Sequence, residues 1–211
     1  MQVNRDNYTM KLIVMTQPTF FVEEDKILSS LFEEGLDILH LHKPDSSPMY
    51  AERLLTLLPD EYHSKIVVHG HFYLKEEYKL KGIHLDDQNT PVPNGYKGKV
   101  SRTCTRLEDL KETKRQSEYV FLKNIFDSLT NVNEKSSFTA NELENAAKHG
   151  LIDRHVYALG GMNLDNVKLA KDLGFGGIVI CGDIWNRFNI QEELDYQEVI
   201  NHFTKLRKAI G

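Results

Sequence analysis

Cysteine is scarce in this chain: two in 211 residues, Cys104 and Cys181. Two thiols make neither a disulfide framework nor an all-thiolate zinc site. Long apolar runs are missing as well. None approaches the roughly 20 residues that a membrane-spanning helix needs, and the polar stretch Met1–Thr9 has no apolar centre of the kind a secretory signal carries. Basic residues are not in excess. Lys and Arg number 26 against 31 Asp and Glu, a formal charge of −5, which is a poor match for a polyanionic nucleic acid. There is no linker, no low-complexity segment, and no Gly-rich dinucleotide fingerprint after the first apolar run. These absences exclude nucleic-acid and membrane partners and leave a globular protein expected in a reducing cytoplasm.

What is present is an alternation. Short apolar runs predict strands at Lys11–Met15, Asp37–His42, Lys65–His69, Gly82–Leu85, Lys99–Ser101, Tyr119–Leu122, His155–Leu159 and Gly177–Cys181. Between them lie helical patterns. Ile27, Leu28, Leu31 and Phe32 share one helix face, Leu54, Leu55 and Leu58 mark another, and Glu108–Gln116 and Ala140–His149 read as charged helices. Gly150 and Gly174 stand where helix C-caps belong, and Asn163 is placed to cap a helix over Leu164–Leu173. A last helix is expected over about Tyr196–Ala209. Strands alternating with helices imply parallel pairing, and strands such as ILHL and IVIC are apolar on both faces. The expectation is a single α/β domain over 1–211, a (β/α)8 TIM barrel near the lower size limit of about 200 residues, with 1–9 peripheral.

In such a barrel the site lies at the C-terminal strand ends. Two features there suit a phosphate. Gly160 and Gly161 end the seventh strand and Gly182 ends the eighth, where loops commonly cradle phosphate on backbone N–H groups. Asp183 would repel that anion unless it turns away to cap the helix. A tight turn explains Gly160 and Gly161 equally well. The early strand ends hold five of the nine histidines: His40, His42, His69, His71 and His84. Imidazole donates, accepts, binds metal or titrates near neutrality, so these define a polar pocket with acid/base capacity, unless they are buried structural histidines. The loop Asp127–Phe138, rich in Ser, Thr and Asn, is a candidate lid or hydroxyl donor, or simply a solvated loop.

The order of KLIVMTQP, DILHLHKPDSS, KIVVHGHFYL, KGIHLDDQ, KVSRTCTRLEDL, EYVFLKNIFDSLT and YALGGMNLDNVKLAKDLGFGGIVICGDI, from Met10 to about Trp185, resembles the thiamin phosphate synthases and their relatives the thiazole tautomerases. The resemblance implies a (β/α)8 barrel that binds a thiazole phosphate or thiamin phosphate. It also implies joining of that thiazole to an aminopyrimidine diphosphate, with Mg²⁺. Carried over by position, Ser101, Ser128 and Thr130 match family hydroxyls, and Gly160 and Gly161 match the phosphate turn. Gly182 stands for a family Ser, and Lys43 is shifted by one from the family Lys. The family's second-strand Gln and Arg are His40 and His42, and its metal-binding Asp after strand three is Gly70. Asp86 and Asp87 are the nearest metal carboxylates, so the family's Mg²⁺ ligands are largely absent. Catalysis would then fall to His40, His42, His69 and His84. Synthase, tautomerase-like isomerase and non-catalytic binding protein all remain open at this level, as does self-association.

Overall fold

A computed structural model describes residues 9–188 and 196–211. The expected peripheral segment lies outside these except for Thr9, which is exposed. Eight strands form the centre: β1 (Lys11–Met15), β2 (Ile38–Leu41), β3 (Ile66–Val68), β4 (Gly82–Leu85), β5 (Lys99–Cys104), β6 (Val120–Leu122), β7 (Val156–Leu159) and β8 (Gly177–Ile180). Each pairs in parallel with the next, and β1 closes on β8, so the sheet is a barrel with no edge. The helices are α1 (Glu24–Glu33), α2 (Pro48–Leu57), α3 (Asp60–His63), α4 (Leu74–Glu77), α5 (Leu110–Arg115), α6 (Ala140–Lys148), α7 (Val167–Asp172), α8 (Gly182–Trp185) and α9 (Gln197–Ile210). Among the described residues no helix is long and apolar enough to cross a membrane.

Two apolar layers hold this together. Outward strand residues such as Leu12, Val14, Leu39 and Ile178 pack under the helices, where α1 contributes Ile27, Leu28, Leu31 and Phe32. A smaller cluster fills the barrel: Ile13, Ile38, Val67, Tyr119, Phe121, Tyr157 and Val179. Strand side chains alternate in and out, so His40, two residues after Ile38, also points inward. It lies 4.6 Å from Phe121, ring centre to ring centre. The barrel's interior is therefore aromatic at the bottom and imidazole-rich toward the top.

Several boundaries differ from expectation. β2 and β3 stop at Leu41 and Val68, which leaves His42 and His69 just past the ladder. β5 is the longest strand, running to Cys104 rather than Ser101. Its polar residues fit because the neighbouring interior is polar: Ser101 and Thr103 both hydrogen-bond His84. No helix forms between β4 and β5, where Pro91 and Pro93 remove N–H donors. α7 begins at Val167, not Leu164, because Asn163 Oδ1 accepts from the N–H groups of Asp165 and Asn166 and holds a separate turn. Gly150 and Gly174 do end helices, with φ of 70° and 87°.

Candidate active site

The C-terminal strand ends surround a cavity of about 460 Å³. Met15, Leu159 and Val179 form an apolar floor. One wall carries His42, Asp86 and Thr103. The opposite wall carries Lys123 and Asn124 after β6, Ser128 and Thr130 from the following loop, and Gly160, Gly161 and Gly182 after β7 and β8.

Close approach of two loops explains the glycine wall. A Cβ on Gly160 would stand 2.9 Å from the Asn124 backbone, and one on Gly161 would stand 2.2 Å from the Asp127 carbonyl oxygen. Both have positive φ, 103° and 63°, a conformation that glycine adopts without steric cost. A Cβ on Gly182 would meet Thr130 Cγ2 at 2.8 Å. Asn166 Nδ2 donates to the Gly161 carbonyl at 2.9 Å and fixes the turn. Asp183 does turn away, though not to cap its helix. It accepts from His202 on α9 at 2.7 Å and from Arg187 at 3.3 Å, both partners behind the wall. The loop after β6 is ordered by its own bonds. Ser128 N–H donates to the Glu134 carbonyl at 2.9 Å, Ser136 N–H to Asp127 Oδ1 at 2.9 Å, and Asn186 Nδ2 to the Leu129 carbonyl at 3.0 Å.

The histidine wall is a hydrogen-bonded chain that runs into the barrel. Asp86 Oδ1 lies 2.6 Å from His69 Nδ1, His69 Nε2 lies 2.8 Å from His40 Nδ1, and His40 Nε2 lies 2.7 Å from the Tyr119 hydroxyl. His84, stacked on His69, bonds Ser101 Oγ at 2.8 Å and Thr103 Oγ1 at 2.9 Å. Burial, reinforced by His69 as a like charge, pushes His40 and His84 well below the ordinary imidazole value, so both are neutral. Burial and His69 also lower His42, against the pull of Asp86. Burial pushes the Asp86 carboxyl up, but the hydrogen bond and charge of His69, with His42 and Lys123, outweigh it, and the net direction is down. The cavity-lining thiol Cys181 is raised by burial to about 11, which keeps it from being a ready nucleophile.

The residues singled out from the sequence are therefore divided. His42, Asp86, Ser128, Thr130, Gly160, Gly161 and Gly182 line one cavity. His40, His84 and Ser101 lie beneath it, fully or nearly buried, as parts of the network. Lys43 leaves the site, since its ammonium pairs with Glu24 at 2.6 Å and donates to the Thr19 carbonyl at 2.8 Å. Asp87 accepts from the Asn89 N–H at 2.7 Å and stands outside the cavity lining. His71 bonds the Ser46 carbonyl at 3.0 Å. Reading the sequence missed Thr103 and Tyr119. Thr103 is two residues after Ser101 and so shares its inward face, a signal hidden by ending the strand at Ser101. Tyr119 is two before Phe121, the same period.

Among the described residues, two groups bring three metal-type ligand atoms within 4.8 Å of one another: His40, His69 and His84, and His42, His69 and Asp86. Mg²⁺ prefers near-octahedral oxygen ligands and takes imidazole poorly. Each group is nitrogen-rich, and the second offers a single carboxylate. The donors present do not fit Mg²⁺.

The model of the thiamine monophosphate synthase family matches residues 12–184 of the chain. Thiamine phosphate pyrophosphorylase from Bacteroides thetaiotaomicron is 52% identical in sequence, with 95% of this chain and 97% of that one aligned at a TM-score of 0.86. The enzyme of the same name from Pyrococcus furiosus shares the fold at 19% identity, TM-score 0.70, over 96% of each chain. Thiamine-phosphate synthase of Flavobacterium johnsoniae is 21% identical over 188 residues, 82% of this chain and 88% of that protein.

Proposed function

The chain belongs to the thiamine monophosphate synthase family, and from that premise we propose that it binds a thiazole phosphate and joins it to an aminopyrimidine diphosphate. The observation that carries this reading is the convergence of Gly160, Gly161 and Gly182 with Ser128 and Thr130 on one end of the cavity. Backbone amides at glycine turns and a pair of hydroxyls are the donors a phosphate monoester takes. The apolar floor of Met15, Leu159 and Val179 then receives the thiazole ring.

In the reaction, the bond between the pyrimidine methylene carbon and the diphosphate oxygen breaks, the diphosphate leaves with the electron pair, and the thiazole nitrogen bonds to that carbon. The barrel holds the two rings together and excludes water from the carbon cation. Lys123 on the cavity wall, 3.7 Å from Glu134 Oε1, is the lysine that would turn to meet developing negative charge.

A second reading has one observation in its favour. His42 and Asp86 border the cavity beside a histidine chain, an arrangement that can move a proton without any diphosphate. A tautomerase-like isomerase would use it, although Asn124 stands where those relatives carry their proton-moving His. Incubation of the purified protein with thiazole phosphate and aminopyrimidine diphosphate decides between them. The synthase reading expects diphosphate and thiamin phosphate in equal amounts. Isomerisation of a thiazole phosphate with no diphosphate released would replace it with the isomerase. Binding of thiazole phosphate with neither reaction would make the chain a phosphate-ligand-binding relative.

A further inference from the structure

We propose that His42, His69 and Asp86 form a binding site for a divalent transition metal of the zinc class, at the wall of the cavity. The misfit to Mg²⁺ is the starting point. Two imidazoles and one carboxylate are the donors that Zn²⁺, Co²⁺ or Fe²⁺ accept, with further positions left open for water or substrate.

Three observations support it. The ligand atoms already converge: His69 Nδ1 lies 2.6 Å from Asp86 Oδ1, His42 Nε2 lies 3.9 Å from Asp86 Oδ2, and all three groups fall within 4.8 Å. Ligand atoms around one ion at about 2.0–2.2 Å are separated by distances of this order, so small rotations suffice. The site also faces usable space, because His42 and Asp86 line the cavity. Finally, the outer support is built. A metal-bound histidine is held in place by a partner on its other ring nitrogen. His69 Nε2 has that partner in His40 Nδ1 at 2.8 Å, and His40 is itself fixed by Tyr119 at 2.7 Å. With a metal on Nδ1, His69 donates from Nε2–H to His40, and His40 donates from its Nε2–H to the phenol oxygen. The His69–His40–Tyr119 bonds are kept in that tautomer, and the metal takes the place of the proton between His69 Nδ1 and Asp86. The other trio, His40, His69 and His84, lacks free donors, because both nitrogens of His84 are bonded to Ser101 and Thr103.

The site stands apart from the synthase reading, since thiazole phosphate binding at the glycine wall and metal binding at the histidine wall are measured separately. The test uses the full chain after chelator treatment. Zn²⁺, Co²⁺ and Mg²⁺ are titrated by calorimetry, and Co²⁺ is followed also by its visible absorption. We expect one Zn²⁺ or Co²⁺ per chain, bound at least a hundredfold more tightly than Mg²⁺, and a Co²⁺ spectrum of a nitrogen-ligated ion. His42→Ala and Asp86→Asn should each weaken Zn²⁺ at least tenfold. Both side chains are part-exposed, at 32% and 58%, so the variants should melt near wild type. His149→Ala, a distant surface change, should leave binding intact. Equal affinity for Mg²⁺ and Zn²⁺, no stoichiometric Zn²⁺ binding, or Zn²⁺ binding unchanged in both site variants would each overturn the proposal.

Discussion

Lys43 and Glu24 form an ion pair sealed inside the protein, with Nζ 2.6 Å from Oε1 and side chains only 3% and 1% exposed. Lys43 also sits 4.5 Å over the Phe20 ring, while Glu24 Oε2 has no hydrogen-bond partner. The lysine that the family resemblance placed among the ligand-binding residues is thus a structural cation here. Removing one member of a buried pair leaves an uncompensated charge, at a cost of about 3–5 kcal/mol, whereas an apolar replacement of both is often neutral. Lys43→Met, which strands the Glu24 carboxylate, is expected to destabilise by that amount at pH 8, and Lys43→Met with Glu24→Leu by less than Lys43→Met alone. Urea denaturation of the pair of variants checks it. A double variant less stable than Lys43→Met would defeat the account.

The same pair predicts a pH slope. Burial, opposed by Lys43, raises the Glu24 carboxyl from 4.5 to about 7. The folded protein keeps a proton that the unfolded chain releases across that interval. The contribution is therefore complete below pH 4.5 and is lost as pH rises to 7, and it amounts to roughly 3 kcal/mol. The stability of wild type relative to Glu24→Gln should fall between pH 4.5 and 7.5. A difference that is flat or rising across that window counts against the prediction.

Phosphate binding has its own test. Gly161→Val places a side chain against the Asp127 carbonyl at a φ of 63°, so it should move the loop as well as weaken binding. Gly182→Ala is gentler, because Gly182 has no positive φ and its Cβ meets side-chain carbons, Thr130 Cγ2 at 2.8 Å and Leu129 Cβ at 3.0 Å, rather than a backbone carbonyl. Each should weaken thiazole phosphate binding at least tenfold, about 1.4 kcal/mol. The unphosphorylated thiazole should bind wild type less tightly than the phosphate. Normal affinity in both variants, measured by calorimetry, would mean the phosphate lies elsewhere.

A family-type Mg²⁺ half-site can be rebuilt. Gly70 is exposed and a Cβ there meets nothing within 4 Å, so Gly70→Asp costs no packing and restores the carboxylate that the family carries after its third strand. His42→Arg adds a permanent cation with a forked donor set, suited to diphosphate. At pH 8 wild type should show little Mg²⁺-dependent diphosphate affinity, and the double variant at least tenfold more. Tight Mg²⁺-dependent binding by wild type would falsify the view that its oxygen-ligand site is lost.

The order of apolar runs was enough to specify eight parallel strands and the end of the barrel that holds the cavity, because period and burial on both faces are local properties of the chain. Gly150, Gly174 and the glycines after β7 were legible for the same reason, since each marks a backbone conformation. The division of labour among the histidines was not. His40 and His42 are two residues apart and share a strand face, yet one lies sealed against Phe121 and Tyr119 while the other reaches the cavity. Depth along the barrel axis decides this, and depth is set by strand stagger and by what fills the layer below. Lys43 and Asp86 show it too. Lys43 is drawn off the site by Glu24, 19 residues away in sequence, and Asp86 is drawn into it by His69, 17 away. Such partners are chosen by the closure of the sheet, and only the tertiary structure brings them within bonding distance.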